Sequence, residues 1–343
     1  METTVDFDSD ESHLLLSPRL PAEERARLEA LVPPLRGHVF VATSGTTGAI
    51  KLVALSKAAI LASAAAVNER LGASSIDTWC RVLPYVHVGG LGIHARAHLT
   101  GARVIEMPWD PGAFAAAEAT LASLVPAQVH DIVSANLRPH RRLRAVLVGG
   151  GAFDPELQAR GRALGWPLLA TYGMSECCST VTVEDELLSH LEARSDPAGR
   201  LALRGASLFT GYATESGLVD PKIEGWFLTE DFGEVDGRIV RVRGRAADFV
   251  KIGGESVDLN RLDALIRSMA GDAAAIVAVP DSRLGRVIHL ATTTEAEGIV
   301  EAFNAQVLPY ERIRAVHRVA AIPRSPLGKL LRAELERLVK NAE

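Results

Sequence analysis

The chain has 343 residues, 48% of them apolar and 23% charged, and a net charge of −5. Its length accommodates two domains and an ample core, and the composition predicts a soluble globular protein. No lysine-arginine block is dense enough for a nucleic-acid or membrane-surface partner, and the three cysteines, Cys80, Cys177 and Cys178, have no metal or redox spacing and suit a reducing cytosol.

The opening residues, METTVDFDSDES, are acidic and carry no signal pattern. The most apolar helical run, Ala58 to Val67, is too short to span a bilayer. Both features predict a cytoplasmic protein without stable membrane insertion. Pro21 at a first turn and Pro33-Pro34 past the end predict a helix over Ala22 to Leu31.

From Val39 to Lys51, VFVATSGTTGAIK, an apolar β-branched run empties into Thr43, Ser44, Gly45, Thr46, Thr47 and Gly48 and ends at Lys51. Glycines let backbone N–H groups turn around an anion, hydroxyls donate further bonds and the lysine adds a point charge, so the loop is suited to phosphate. A flexible surface turn is the plain alternative. A Walker loop is excluded, because it needs glycine directly before the lysine and Ser or Thr directly after, where this chain has Ile50 and Leu52. Ser56 then caps a helix to about Leu71, with Gly72 beyond its end.

Arg81 to Gly92, RVLPYVHVGGLG, predicts a short strand that breaks at Pro84 into a loop carrying His87 and three glycines. It fails as a dinucleotide fingerprint, since Ala95 stands where a third glycine is needed. Strand and helix patterns alternate from there: strand at Arg103 to Met107, helix at Pro111 to Leu124, strand at Ala145 to Val148, helix at Pro155 to Leu164, strand at Leu168 to Thr171. That alternation predicts a helix-covered parallel sheet with ligands past the carboxyl ends of its strands. The basic run Arg138 to Arg144 reads as a solvated edge ahead of a strand. One strand end runs into Gly149, Gly150 and Gly151, which suits either close backbone approach to a ligand or a tight turn into a helix. Another runs from Thr171 into Tyr172, Gly173, Met174, Ser175 and Glu176. A serine-hydrolase elbow is excluded there, because Cys177 stands where glycine is required.

Beyond Gly199 the texture changes to short runs with Gly and Asp turns. Leu201 to Leu203, Gly225 to Thr229, Gly233 to Val235 and Arg238 to Val242 read as antiparallel strands, the last two joined at Asp236-Gly237. The remainder reads as a helix near Leu259 to Met269, strands at Ala274 to Val279 and Val287 to Thr292, a helix near Ala296 to Val307 and a C-terminal helix.

Taken in order, these pieces resemble the adenylate-forming superfamily of acyl-CoA synthetases, luciferases and peptide-synthetase adenylation domains, over about Val41 to Leu331. TSGTTG with Lys51 resembles its phosphate loop, and the LP-x-x-H-x-x-G-L form around His87 resembles the segment lining the acyl pocket, which implies a carboxylate or oxyanion contact for His87. Gly149 to Gly151 resembles the turn on the adenine side. YGMSE resembles YG-x-TE with Ser175 in place of threonine, implying that Tyr172 stacks on adenine, Ser175 donates to a phosphate oxygen and Glu176 offers a hard oxygen to Mg²⁺ on the ATP phosphates. GWFLTED resembles GW-x-x-TGD, with Glu230 replacing glycine and Asp231 placed to accept from the ribose hydroxyls. GRAADFVKIGGESV resembles the interdomain segment, where Arg245 contacts ribose and Lys251, Gly253 and Gly254 belong to the loop that swings to the thioester site. Ala247 departs from the Asp or Lys usual at the hinge. The P-x-x-x-x-GK form that ends at Lys329 implies a lysine neutralising charge between the attacking carboxylate and the α-phosphate.

The resemblance implies an α/β fold: a large N-terminal domain, 1–245, with a helix-covered, mostly parallel sheet plus antiparallel strands, and a small mobile C-terminal α+β domain, 246–343. It implies an AMP-forming acid–thiol ligase that takes ATP, Mg²⁺, CoA and a small carboxylic acid. The short front of the chain and YGMSE resemble the short actinobacterial branch of o-succinylbenzoate–CoA ligases, of menaquinone biosynthesis. The two carboxylates of that acid need a cationic or donor-rich pocket, with His87, Arg96 and the Cys177-Cys178-Ser179 run as candidates. Another aryl or acyl acid, a carrier protein in place of CoA, and a non-catalytic nucleotide-binding scaffold stand as alternatives. The shortened front is expected to expose apolar surface that a second subunit covers, as in a homodimer.

Overall fold

The computed structural model describes residues 4–18, 20–44, 50–151, 153–245, 249–252, 255–281, 283–296, 298–324 and 330–340, with the backbone alone at 44, 50, 245, 249, 251, 255 and 256. The chain divides into two compact units, Met1–Thr229 with Gly233–Val242 and Glu230–Phe232 with Arg243–Glu343.

In the first unit, β1 (His13–Leu15) and α1 (Ala22–Ala30) precede the antiparallel pair β2 (His38–Ser44) and β3 (Ile50–Ser56). α2 (Lys57–Leu71) begins where the Ser56 side chain accepts from Ala59 N at 3.1 Å and ends at Gly72 in the left-handed region, as expected from its capping residues. The alternating stretch follows: β4 (Thr78–Arg81), α3 (Val88–Thr100), β5 (Arg103–Glu106), α4 (Pro111–Ala116), β6 (Leu121–Leu124), α5 (Pro126–Ser134), β7 (Ala145–Val148), α6 (Pro155–Ala163) and β8 (Leu168–Met174). Then come β9 (Ser179–Val183), β10 (Glu186–Leu187), β11 (Leu191–Ser195), β12 (Arg200–Gly205), β13 (Gly211–Thr214), β14 (Gly217–Val219), β15 (Phe227–Asp236) and β16 (Ile239–Arg245), of which Glu230–Phe232 and Arg243–Arg245 count to the second unit.

These strands make a five-stranded sheet, β1-β2-β3-β13-β14, and an eleven-stranded one, β11-β12-β15-β16-β10-β9-β8-β7-β6-β4-β5. The run from β8 to β5 is parallel, and β8 meets β9 antiparallel. β6 and β7 are buried at every position, because helices cover both faces. Leu121, Ala145 and Leu147 pack with Val67 and Ile93 of α2 and α3, while Ala122, Leu124, Val146 and Val148 pack with Phe114, Val129 and Ile132 of α4 and α5.

Three readings of the sequence are corrected. The segment read as one helix from Pro111 to Leu124 is α4 followed by strand β6, since a four-residue apolar run has no period of its own. Gly225 to Thr229 and Gly233 to Val235 are not two strands: β15 runs unbroken from Phe227 to Asp236. The glycines after His87 lie in the first turns of α3 rather than in a loop, because a Cβ at Gly90 would overlap the carbonyl of Pro84. Arg138, Arg141, Arg142 and Arg144 are exposed ahead of β7, as expected of a solvated edge, and Arg144 in addition clamps buried Asp77 through Nε to Oδ1 at 3.0 Å and Nη2 to Oδ2 at 2.8 Å, and caps the end of α2 through Leu71 O at 2.6 Å.

The second unit carries β17 (Phe249–Ile252), β18 (Glu255–Asp258), α7 (Leu259–Ala270), β19 (Ala274–Asp281), β20 (Gly285–Thr292), α8 (Ile299–Asn304), β21 (Ile313–Arg318) and α9 (Arg332–Lys340). Alternation along β19 sends Ile276 and Ala278 toward Leu262 and Ile266 of α7, and Val277 and Val279 toward Leu335 and Val339 of α9. Among the described residues no helix is long and apolar enough to cross a membrane.

Candidate functional site

The β2–β3 register pairs Thr43 with Lys51, and β13 pairs Tyr212 with Val53. Pleating therefore sets Thr43, Lys51 and Tyr212 on one face of the small sheet. Gly45, Thr46, Thr47 and Gly48 lie outside the described residues, and Ser44 is described by its backbone, at the end of β2. The Lys51 ammonium sits 5.2 Å from the centroid of the Tyr212 ring, and the Tyr212 hydroxyl donates to Glu176 Oε1 at 2.8 Å. Glu176 comes from the other sheet, in the single 3₁₀ turn Ser175–Cys177 directly after β8. Its backbone oxygen accepts from Phe209 N at 2.8 Å, which fixes the turn against the segment leading into β13.

β8 extends through Tyr172, Gly173 and Met174, which the sequence reading placed in the following loop. The β8–β9 register shifts between Tyr172 and Gly173. A Cβ at Gly173 would overlap the carbonyl oxygen of Ser179, so the strand continues there only with glycine. Half-buried Tyr172 packs with the cluster around Val181 and Leu203. Thr171 Oγ1 donates to Val148 O at 3.0 Å and ties β8 to the end of β7. There Gly149 N donates to Leu124 O at 3.1 Å, Gly150 turns at φ 80°, and Gly151 is exposed. Beyond Glu176, Cys178 and Ser179 hold φ of 56° and 118°, uncommon for side-chain-bearing residues and a concentration of backbone strain beside the site.

His87 is the N-cap position of α3, its ring exposed and without a side-chain cap bond. The chain massed around it still desolvates the imidazolium and lowers its pKa below 6.5, so the neutral ring prevails at pH 7. Two turns along the same helix Arg96 is 2% exposed. Its guanidinium lies 5.3 Å from the Trp79 ring and donates to Ser123 Oγ at 3.3 Å, Thr180 Oγ1 at 3.2 Å and Ser179 Oγ at 3.5 Å, while Nε finds no partner among the described residues. Among the described residues no carboxylate pairs with it, and burial pulls its pKa down to about 10. A buried cation ringed by hydroxyls has the chemistry to pair with an anion. Cys177 and Cys178 differ: both are buried in apolar clusters, and burial pushes the Cys178 thiol pKa up.

Asp231 is buried on β15. Arg245 closes β16 and Lys251 lies on β17, each described by its backbone. Gly253, Gly254, Ala247 and Lys329 lie outside the described residues. The stretch 325–329 is bracketed by an antiparallel bridge between Arg324 and Leu330 and by Leu331 N donating to Pro323 O at 2.9 Å.

Glu176 fits a Mg²⁺ site. Magnesium is held in nucleotide sites by one or two carboxylates plus phosphate oxygens rather than by a protein cage, and Glu176 has one oxygen oriented by Tyr212 while the other makes no hydrogen bond to the described residues. Tyr212 was not singled out from the sequence; a tyrosine beside Gly211 in a short β-pattern carries no signal of its partner 36 residues away. Ser123 and Thr180 were missed likewise, for each is an ordinary hydroxyl until the fold brings Arg96 to it.

A model of the AMP-binding enzyme family matches residues 5–206. A probable 2-succinylbenzoate–CoA ligase of Mycobacterium tuberculosis is 32% identical over 325 residues, covering 87% of this chain and 84% of that protein. The 2-succinylbenzoate–CoA ligase of Bacillus cytotoxicus is 27% identical, covering 88% and 70%. Among solved structures, the o-succinylbenzoate CoA synthetase MenE of Bacillus subtilis with an acyl-adenylate intermediate aligns with a TM-score of 0.79 at 23% identity, over 87% of this chain and 68% of that one. E. coli MenE aligns with a TM-score of 0.78 at 23% identity, over 97% and 89%.

Proposed function

We propose, from the premise that this chain belongs to the AMP-binding enzyme family, that it is an ATP-dependent, AMP-forming 2-succinylbenzoate–CoA ligase of menaquinone biosynthesis. A carboxylate oxygen of the acid attacks the α-phosphorus of ATP, the bond to the β-phosphate breaks, and pyrophosphate leaves. The thiol sulfur of CoA then attacks the acyl carbon of the adenylate, AMP departs with the former carboxylate oxygen, and the thiol proton passes to solvent. Neither step needs a covalent bond to the protein. The work is positioning and charge neutralisation.

In this reading Thr43 to Gly48 and Lys51 hold the phosphates, Gly149 to Gly151 and Thr171 to Met174 the adenine side, Ser175 a phosphate oxygen, and Asp231 and Arg245 the ribose. Glu176 would hold Mg²⁺, which when bound spreads the phosphate charge. His87 contacts the reacting carboxylate. Lys329 serves the first step, Lys251 with Gly253 and Gly254 the second, and the mobile segment is 246–343. A cytoplasmic homodimer is part of the proposal.

The observation that carries the substrate is Arg96. A diacid keeps one carboxylate charged while the other is activated, and a guanidinium 2% exposed, with hydroxyl partners and, among the described residues, no carboxylate, supplies the missing counter-charge. A monoacid would leave that cation unpaired. The test is pyrophosphate release with Mg-ATP and 2-succinylbenzoate, with and without CoA, for the natural chain and Lys329→Ala. Release that depends on the acid and on Lys329, with CoA yielding a thioester, is expected. Release with other acids in its place would overturn the substrate, and nucleotide binding without release by any acid would overturn the ligase.

A further inference from the structure

One side chain links the small sheet to the turn that follows β8. Tyr212 donates to Glu176 Oε1 at 2.8 Å and carries the Lys51 ammonium 5.2 Å from its ring centroid. Its own place is over-determined. Its backbone pairs with Val53 on β3, its ring meets Phe209 edge-on at 4.8 Å, and Phe209 N donates to the backbone oxygen of Glu176 at 2.8 Å. Among the described residues neither Lys51 nor Glu176 enters an ion pair; the aromatic ring lies against the ammonium and the phenol hydroxyl takes the carboxylate.

We propose that Tyr212 is the positioning residue of the nucleotide site: its ring backs the Lys51 ammonium, and its hydroxyl holds Glu176 Oε1 so that Oε2 would be left for a bound metal. The physical need is plain. Lysine serves a phosphate only while its charge is uncommitted, and a carboxylate serves a hard cation best when one oxygen is held by a donor and the other presented. A ring satisfies the ammonium through its quadrupole without quenching it, and a hydroxyl orients the carboxylate without adding charge. This inference rests on the nucleotide-binding reading of the site and adds to it a residue that the motif comparison left out.

The experiment titrates Mn²⁺ by electron paramagnetic resonance into the full chain saturated with α,β-methylene-ATP, and measures metal-free binding of the same nucleotide by calorimetry, for the natural chain, Tyr212→Phe and Tyr212→Leu. Tyr212→Phe keeps the ring and loses the hydroxyl. It should weaken Mn²⁺ binding about 10–100-fold, the usual effect of removing a partner behind a metal ligand, and leave metal-free nucleotide binding within about 2-fold. Tyr212→Leu also removes the surface under Lys51 and should add a loss of about 2–5-fold in metal-free binding. Unchanged Mn²⁺ affinity in Tyr212→Phe would overturn the inference while the site reading stands. Equal loss with and without metal would overturn it too, by making Tyr212 merely structural. Failure of the natural chain to bind the nucleotide would overturn both.

Discussion

Replacing Arg96 with methionine should make the acid-free protein no less stable while crippling its use of a diacid. A guanidinium held at about 10 rather than 12.5 by burial implies about 3 kcal/mol of desolvation carried by the empty site. Its compensation is thin: bonds to Thr180, Ser123 and Ser179 at 3.2, 3.3 and 3.5 Å are at or beyond the long end for N–H···O, together about 1–2 kcal/mol. Methionine keeps the length of the side chain over Trp79 and removes the charge. The thermal midpoint of Arg96→Met should hold or rise by roughly 2–8 °C, at about 2–4 °C per kcal/mol for a domain of this size. With the acid bound the balance reverses. Leaving the second carboxylate desolvated and unpaired costs about 3–5 kcal/mol, so KM for 2-succinylbenzoate should rise about 10²–10³-fold, with little change for an analogue lacking that carboxylate. Pyrophosphate release for both acids and a thermal melt read the two halves. A lowered midpoint with selectivity unchanged would show that Arg96 is structural and refute the reasoning.

The Asp77–Arg144 clamp sets an acid limit on the fold. Arg144 beside it lowers the Asp77 pKa from 3.8 to about 2, so its stabilisation is complete above about pH 4 and is lost as pH falls through about 2. Asp77→Asn should cost about 2 kcal/mol in urea unfolding at pH 7, and the two proteins should converge near pH 2; a constant difference down to that pH would contradict it. Gly173→Ala puts a methyl group into the Ser179 carbonyl, and should lose about 3 kcal/mol or force β8 out of register, seen as a lower unfolding midpoint together with lost nucleotide binding; a midpoint equal to the natural chain's would show the bulge to be dispensable. Glu176→Gln keeps the shape and removes the charge offered to the metal, so pyrophosphate release should fall about 10²-fold or more, with part of the loss recovered at high Mg²⁺. Retained activity at low Mg²⁺ would exclude Glu176 as the ligand.

Much of the fold is legible locally. Ser56 and Gly72 bound α2, Asp110 and Asp154 cap α4 and α6 ahead of their prolines, and Ala145–Val148 reads as a buried strand from four apolar residues in a row. The misread elements share one cause. A segment such as Leu121–Leu124 or Val88–Gly92 takes its state from what it packs against, and glycine's poor helix propensity is overruled where only glycine lets α3 start beside Pro84.

The site divides in the same way. The sequence by itself determined the chemistry: a hydroxyl- and glycine-rich loop with Lys51, the YGMSE stretch with Glu176, and Arg96 among the acid-binding candidates, all carried by residue type and short spacing. Only the tertiary structure decided which of these groups work together. Arg96 meets Thr180 across 84 residues and Tyr212 meets Glu176 across 36, and those encounters are set by sheet register and the packing of α3, which no local pattern encodes. Burial sets Arg96 among hydroxyls and packing lays the Tyr212 ring against Lys51, because desolvation and contact belong to places in the fold rather than to residues in a chain.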